Sequence, residues 1–199
     1  AAGTINLPNT TSDLATSGTG SISLTTATNI IVEDGASVIT TLGDLTLSAN
    51  QQASPSAGPF MGIYVNNSST STTLSTTAGQ LRLLGRAGTS GGSYGVRLRG
   101  GTASSTTGNI TITGVGSTGS TQFNDGVYLS RYAPNNSPGT VQTTNGNIAI
   151  TGTGGGTGGD AHGFETDTAT VKSTGLGNIT ILGNSGLGNG SAGVFTSNG

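Results

Sequence analysis

The sequence contains no cysteine and no tryptophan, one methionine, one histidine, and only 7% charged residues. Without cysteine, neither a disulfide framework nor a thiolate metal site is available, so the chain must be held together by other means. Six Lys/Arg against eight Asp/Glu provide no basic surface for neutralising phosphates, which argues against nucleic acid as a partner. No run approaches the roughly 20 apolar residues that span a bilayer, so no membrane insertion is expected; the opening AAGTINLPNT has neither the basic nor the apolar part of a signal peptide. Any export signal is expected outside these residues. The formal charge of −2 is also too small for the usual disordered chain, which pairs low hydrophobicity with high net charge.

In place of these the chain has 37 glycines, abundant threonine, and short alternating runs of Ile, Leu and Val. The runs recur. GDLTLS begins at Gly43, GQLRLL at Gly79, GNITIT at Gly108, GNIAIT at Gly146 and GNITIL at Gly177, at spacings of 36, 29, 38 and 31 residues. GSISLT at Gly20 and TINL at Thr4 extend this first series toward the N-terminus. Each is a period-two strand, with Ile110 and Ile112 on one face and Thr111 and Thr113 on the other.

Two further series keep constant phase with the first. GIYV, GVRL, GVYL, GFET and GVFT start at Gly62, Gly95, Gly126, Gly163 and Gly193, and a third series places Val38, Leu74, Ala103, Val141 and Val171 before the next repeat. Hairpins are the competing reading, since Asn145-Gly146 and Asp125-Gly126 are two-residue turn signals. Three strands in about 30 residues, with insertions only between them, fit a coil better than a four-stranded propeller blade. The expected fold is therefore all-β: a right-handed parallel β-helix (β-solenoid) with three strands per coil and about six to seven coils. Residues 1–199 are read as a single β-solenoid segment of a longer shaft or filament, with 1–19 as an irregular first coil or N-terminal edge. The aliphatic positions of all three series face the core, and Thr40, Thr76, Ser105, Thr143 and Ser173 form an inward hydroxyl column.

GNITITG from Gly108, GVYL from Gly126 and TVQTTNG from Thr140 resemble the shaft coils of the large filamentous-haemagglutinin-like exoproteins of Gram-negative bacteria, over roughly residues 20–199. The resemblance implies a secreted, extracellular or cell-surface protein with a structural or adhesive role. The NPNG-like motif of that family's secretion domain is approached only by LPNT at Leu7, and no secretion domain is assigned.

Little in the chain suggests catalysis. There is no GxSxG elbow, phosphate loop or cysteine nucleophile, and Asp13, Glu33, Asp34, Asp44 and Asp125 fall in different coils, so no enzyme is expected and no cofactor is required. The densest polar stretch, GGDAHGFETD, holds Asp160, His162, Glu165 and Asp167; Asp160, Glu165 and Asp167 are the candidate ligands of a divalent cation such as calcium. The second series also carries an outward ladder Tyr64, Arg97, Tyr128, Glu165, Phe195. With Arg131 and Tyr132 of the SRYAPNNSPG loop, Tyr64, Arg97 and Tyr128 form a candidate contact surface for sugar rings or a neighbouring fibre. The expected function is an extracellular scaffold or adhesin shaft, with a carbohydrate-binding or carbohydrate-processing β-helix as the alternative. Its expected partners are further copies or adjacent repeats and cell-surface glycans. Ice binding by the threonine rows is not expected, because Arg82, Leu84, Leu182 and Gln142 interrupt them.

Overall fold

Alternating Ile/Thr and Val/Thr runs favour extended backbone, and the glycines between them let the chain turn without a side chain in the way. The computed structural model describes residues 3–197 and shows 19 strands among them, with no helix. The first coil is β1 (Ile5–Leu7), β2 (Leu14–Ala15) and β3 (Ile22–Thr26), and the second is β4 (Ile30–Glu33), β5 (Ser37–Thr40) and β6 (Leu45–Ala49). The third is β7 (Ile63–Asn66), β8 (Thr73–Thr76) and β9 (Leu81–Arg86); the fourth is β10 (Val96–Arg99), β11 (Thr102–Ser105) and β12 (Ile110–Val115). The fifth is β13 (Val127–Ser130), β14 (Thr140–Thr143) and β15 (Ile148–Thr153). The sixth is β16 (Phe164–Asp167), β17 (Thr170–Ser173) and β18 (Ile179–Asn184), and β19 (Val194–Ser197) opens a seventh.

Every third strand pairs in parallel, giving one sheet of seven strands (β1 to β19) and two of six (β2 to β17 and β3 to β18). This is the three-strand-per-coil parallel β-helix anticipated from the repeats. The ladders run in the expected register: Ile110 pairs with Leu81 and Ile148, Val96 with Ile63 and Val127, and Ala103 with Leu74 and Val141. Their side chains make one continuous aliphatic core in which Leu45, Leu81, Ile110, Ile63, Val96 and Leu74 are wholly buried.

One assignment is corrected. TINL does not join the first series but forms β1 in the seven-stranded sheet, where Ile5 pairs with Ile30 and Leu7 with Val32. Alternation has the same period on all three faces, and Gly3-Thr4-Ile5 copies the Gly-x-apolar spacing of the first series, whereas later strands of this sheet carry glycine directly before the first apolar residue. Its partner IIVE (β4) follows Asn29 rather than glycine, and the two-residue β2 is too short to show a period.

The Gly-Asn corner does more than turn the chain. A Cβ at Gly108 would overlap the carbonyl of Gly79, and one at Gly146 that of Gly108, so stacked coils touch backbone to backbone there. The next residue links neighbouring coils: Asn147 N–H donates to Asn109 Oδ1 and Asn178 N–H to Asn147 Oδ1, each at 2.8 Å, and Gln80 N–H to Asp44 Oδ1 at the same distance. Inside, four members of the hydroxyl column are buried, with Thr40 1%, Thr76 4%, Ser105 7% and Thr143 3% exposed, while Ser173 in the sixth coil is only partly buried. Thr40 Oγ1 donates to the Gly43 carbonyl at 2.7 Å.

Candidate functional site: the outer face of the seven-stranded sheet

In-register stacking repeats any outward position of this sheet about every 4.8 Å along the axis, and so gathers residues far apart in sequence. Tyr64, Arg97, Tyr128, Glu165 and Phe195 stand in a single row, each paired with the next. A second row, unrecognised in the sequence, comes from the residue before each strand's glycine: Tyr94, Asp125, His162 and Ala192. Backbone bonds fix this row, with Gly95 N–H donating to Asp125 O, Gly126 N–H to His162 O and Gly163 N–H to Ala192 O, each at 3.0 Å.

The two rows make an aromatic half and an acidic half. In the first, the Arg97 guanidinium carbon lies 4.8 Å from the Tyr94 ring centroid, 5.1 Å from Tyr128 and 5.9 Å from Tyr64. Tyr94 and Tyr128 lie against each other with centroids 5.1 Å apart. Arg97 Nε is buried without a hydrogen-bond partner, so the guanidinium is held chiefly by the ring faces. Burial raises both phenols, Tyr128 up to about 12, with the Glu165 charge adding to the effect there. Both rings thus stay neutral at any physiological pH.

Tyr132 joins this face through Arg99, whose guanidinium carbon lies 4.8 Å from its ring, while Arg131 bonds Asn136 Oδ1 of its own loop at 3.1 Å. All four tyrosines of the chain therefore lie against Arg97 or Arg99. Of the five residues expected on this surface, Tyr64, Arg97 and Tyr128 share one cluster, Tyr132 stands in a neighbouring pair, and the Arg131 side chain turns back into its loop.

In the acidic half, ligand-type atoms of Asp125, His162 and Glu165 lie within 4.8 Å of one another, the one such three-residue group among the described residues. Asp125 is wholly buried and His162 is 3% exposed. Asp125 Oδ1 accepts the His162 N–H at 2.6 Å, and His162 Nδ1 accepts the Ala192 N–H at 3.0 Å. These are the same coil-to-coil caps that the asparagines make at the other corner. Phe195 stacks on the imidazole at 4.5 Å, 7° from parallel. Asp125 Oδ2 has no hydrogen-bond partner. Glu165 lies beside it, with ligand-type oxygens of the two carboxyls within 4.8 Å of each other. Burial first, then the Glu165 charge, holds Asp125 well above the usual carboxylate range.

Of the cation ligands expected from sequence, only Glu165 belongs to this group. Asp167 lies at the far end of β16 and accepts the Thr168 hydroxyl at 3.2 Å, and Asp160 stands in the preceding loop at a φ of 54°. Asp125 belongs to the preceding coil and lies 40 residues before Glu165 in the sequence, and stacking brings the two together. The recurring position before the strand glycine was the signal that would have found it.

A third feature is a trough of about 390 Å³ over the β2-to-β17 sheet, lined by Ser75, Ser104, Gln142, Lys172 and the hydroxyl columns. Compared with protein-family models, with curated proteins and with solved structures, the chain matches none.

Proposed function

We propose that the chain is an extracellular structural scaffold, a segment of an adhesin-type shaft of the kind that the filamentous-haemagglutinin-like exoproteins build. The supporting observation is the core, which runs through six coils and into a seventh without a break in register or a change of strand order. Such a solenoid holds its outer faces at fixed spacing, and each coil depends on its neighbours for stability.

The terminal coils present the same inward positions half open, with Ile179 43% and Val194 49% exposed beside unpaired strand edges. This surface fits one further coil, from the same chain or from another copy. Sedimentation velocity tests the self-assembling form of the proposal: the chain should associate end to end with rising concentration, and Ile179→Lys with Val194→Lys should abolish this while the core keeps its melting temperature. Unchanged sedimentation of the wild-type chain over a wide concentration range would count against assembly through the ends.

A second reading, carbohydrate binding at the cell surface, is favoured by the gathering of every tyrosine against two arginines on one face, a composition suited to stacking on sugar rings. A glycan panel separates the two readings. Binding that is lost in Tyr64→Ala and Tyr128→Ala, with the rods unaltered, supports the glycan reading; absence of any binding removes it.

A further inference from the structure

A carboxylate inside a protein is normally paired on both oxygens or bonded to a metal, because leaving it bare forfeits hydration with nothing in return. Asp125 departs from this. It is wholly buried, its Oδ1 is capped by the His162 amide, and its Oδ2 is bare and turned toward a second carboxyl and an imidazole. The neighbouring cation, Arg97, is already held among Tyr64, Tyr94 and Tyr128.

We propose that Asp125, His162 and Glu165 form a binding site for a first-row divalent metal ion of the zinc class, joining the fifth and sixth coils. The ligands are Asp125 Oδ2, a Glu165 carboxylate oxygen and a ring nitrogen of His162, with solvent completing the shell. One nitrogen and two oxygens suit zinc and its neighbours, whereas calcium takes six to eight oxygens and finds two carboxylates here. Metal–ligand bonds of about 2.1 Å at tetrahedral angles place ligand atoms about 3.4 Å apart. The group, now within 4.8 Å, has to draw in around the ion, by up to about 1.4 Å for any one pair.

The histidine decides what else must move. Its Nδ1 accepts the Ala192 N–H, so the neutral ring carries its proton on Nε2, and an N–H nitrogen has no lone pair for a metal. Binding through Nδ1 displaces the Ala192 amide directly, and binding through Nε2 moves the ring proton to Nδ1, so in either case the Ala192 N–H loses its acceptor. Metal binding is thus coupled to release of one identified amide. The stacked Phe195 ring keeps the imidazole plane in place meanwhile.

The test titrates the full chain, freed of metal by chelator, with zinc chloride and separately with calcium chloride in a calorimeter, and follows amide exchange by NMR. One zinc per chain and no saturable calcium binding are expected, with faster exchange at Ala192 once zinc is bound. Glu165→Gln should weaken zinc by at least about tenfold, while Asp160→Asn and Asp167→Asn leave it unchanged. Asp125→Asn should abolish binding, and Glu165→Gln, at a half-exposed position, keeps the test decisive if the buried variant fails to fold. Absence of stoichiometric zinc binding, affinity unaffected by Glu165→Gln, a preference for calcium, or an Ala192 amide still protected in the zinc form would each overturn the site.

Discussion

At Asp125 a single residue serves two ends. One oxygen caps the next coil, as Asn109 and Asn147 do at the opposite corner, and the other faces Glu165 without a hydrogen-bond partner. Its raised carboxyl fixes the sign of a pH effect in metal-free protein. The folded state keeps a proton that the unfolded state gives up within the usual carboxylate range, so stability is fully present below that range and declines as pH rises through and above it. Urea midpoints measured in chelator should fall from pH 4 to pH 8, and Asp125→Asn should flatten the slope. A midpoint independent of pH, or one that rises, would rule out a buried neutral Asp125. The corner caps are worth less: Asn147→Ala removes one exposed acceptor and should cost about 0.5–1.5 kcal/mol in chemical denaturation.

At the scale of the strand, the repeated Gly-Asn-Ile-Thr-Ile element is core and corner. Ile112 is wholly buried between Leu83 and Ile150, and Ile112→Ala should lose about 2–5 kcal/mol of unfolding free energy. Gly108→Ala should cost about 1–3 kcal/mol or more, since its Cβ meets the Gly79 backbone and the whole coil must shift. These elements were legible because a glycine and a period-two pattern recurred together. IIVE and the two-residue β2 were not, having no glycine flag or no length, and TINL took the wrong sheet because Gly3-Thr4-Ile5 copies the glycine spacing of the first series. The site divided along the same line. Tyr64, Arg97, Tyr128 and Glu165 lie inside strands, where phase predicts the face. Tyr94, Asp125 and His162 lie at the corner one residue earlier, where alternation stops and only the stacked coils reveal the neighbours.

Across the whole molecule, stacking turns a weakly apolar sequence into a stable body. No coil has a core of its own, and the narrow aliphatic column closes only between neighbours. The same stacking organises the surface, placing a tyrosine–arginine face, a buried acid–imidazole group and a hydroxyl trough at fixed heights on one rod. The middle coils should therefore show the slowest amide exchange, at β9, β12 and β15, and the terminal coils the fastest, since those lack one neighbour. Electron microscopy of the purified chain at increasing concentration bears most directly on the proposed scaffold role. Straight, unbranched rods of constant width that lengthen with concentration are expected; compact particles of one fixed size at every concentration would contradict a self-assembling shaft.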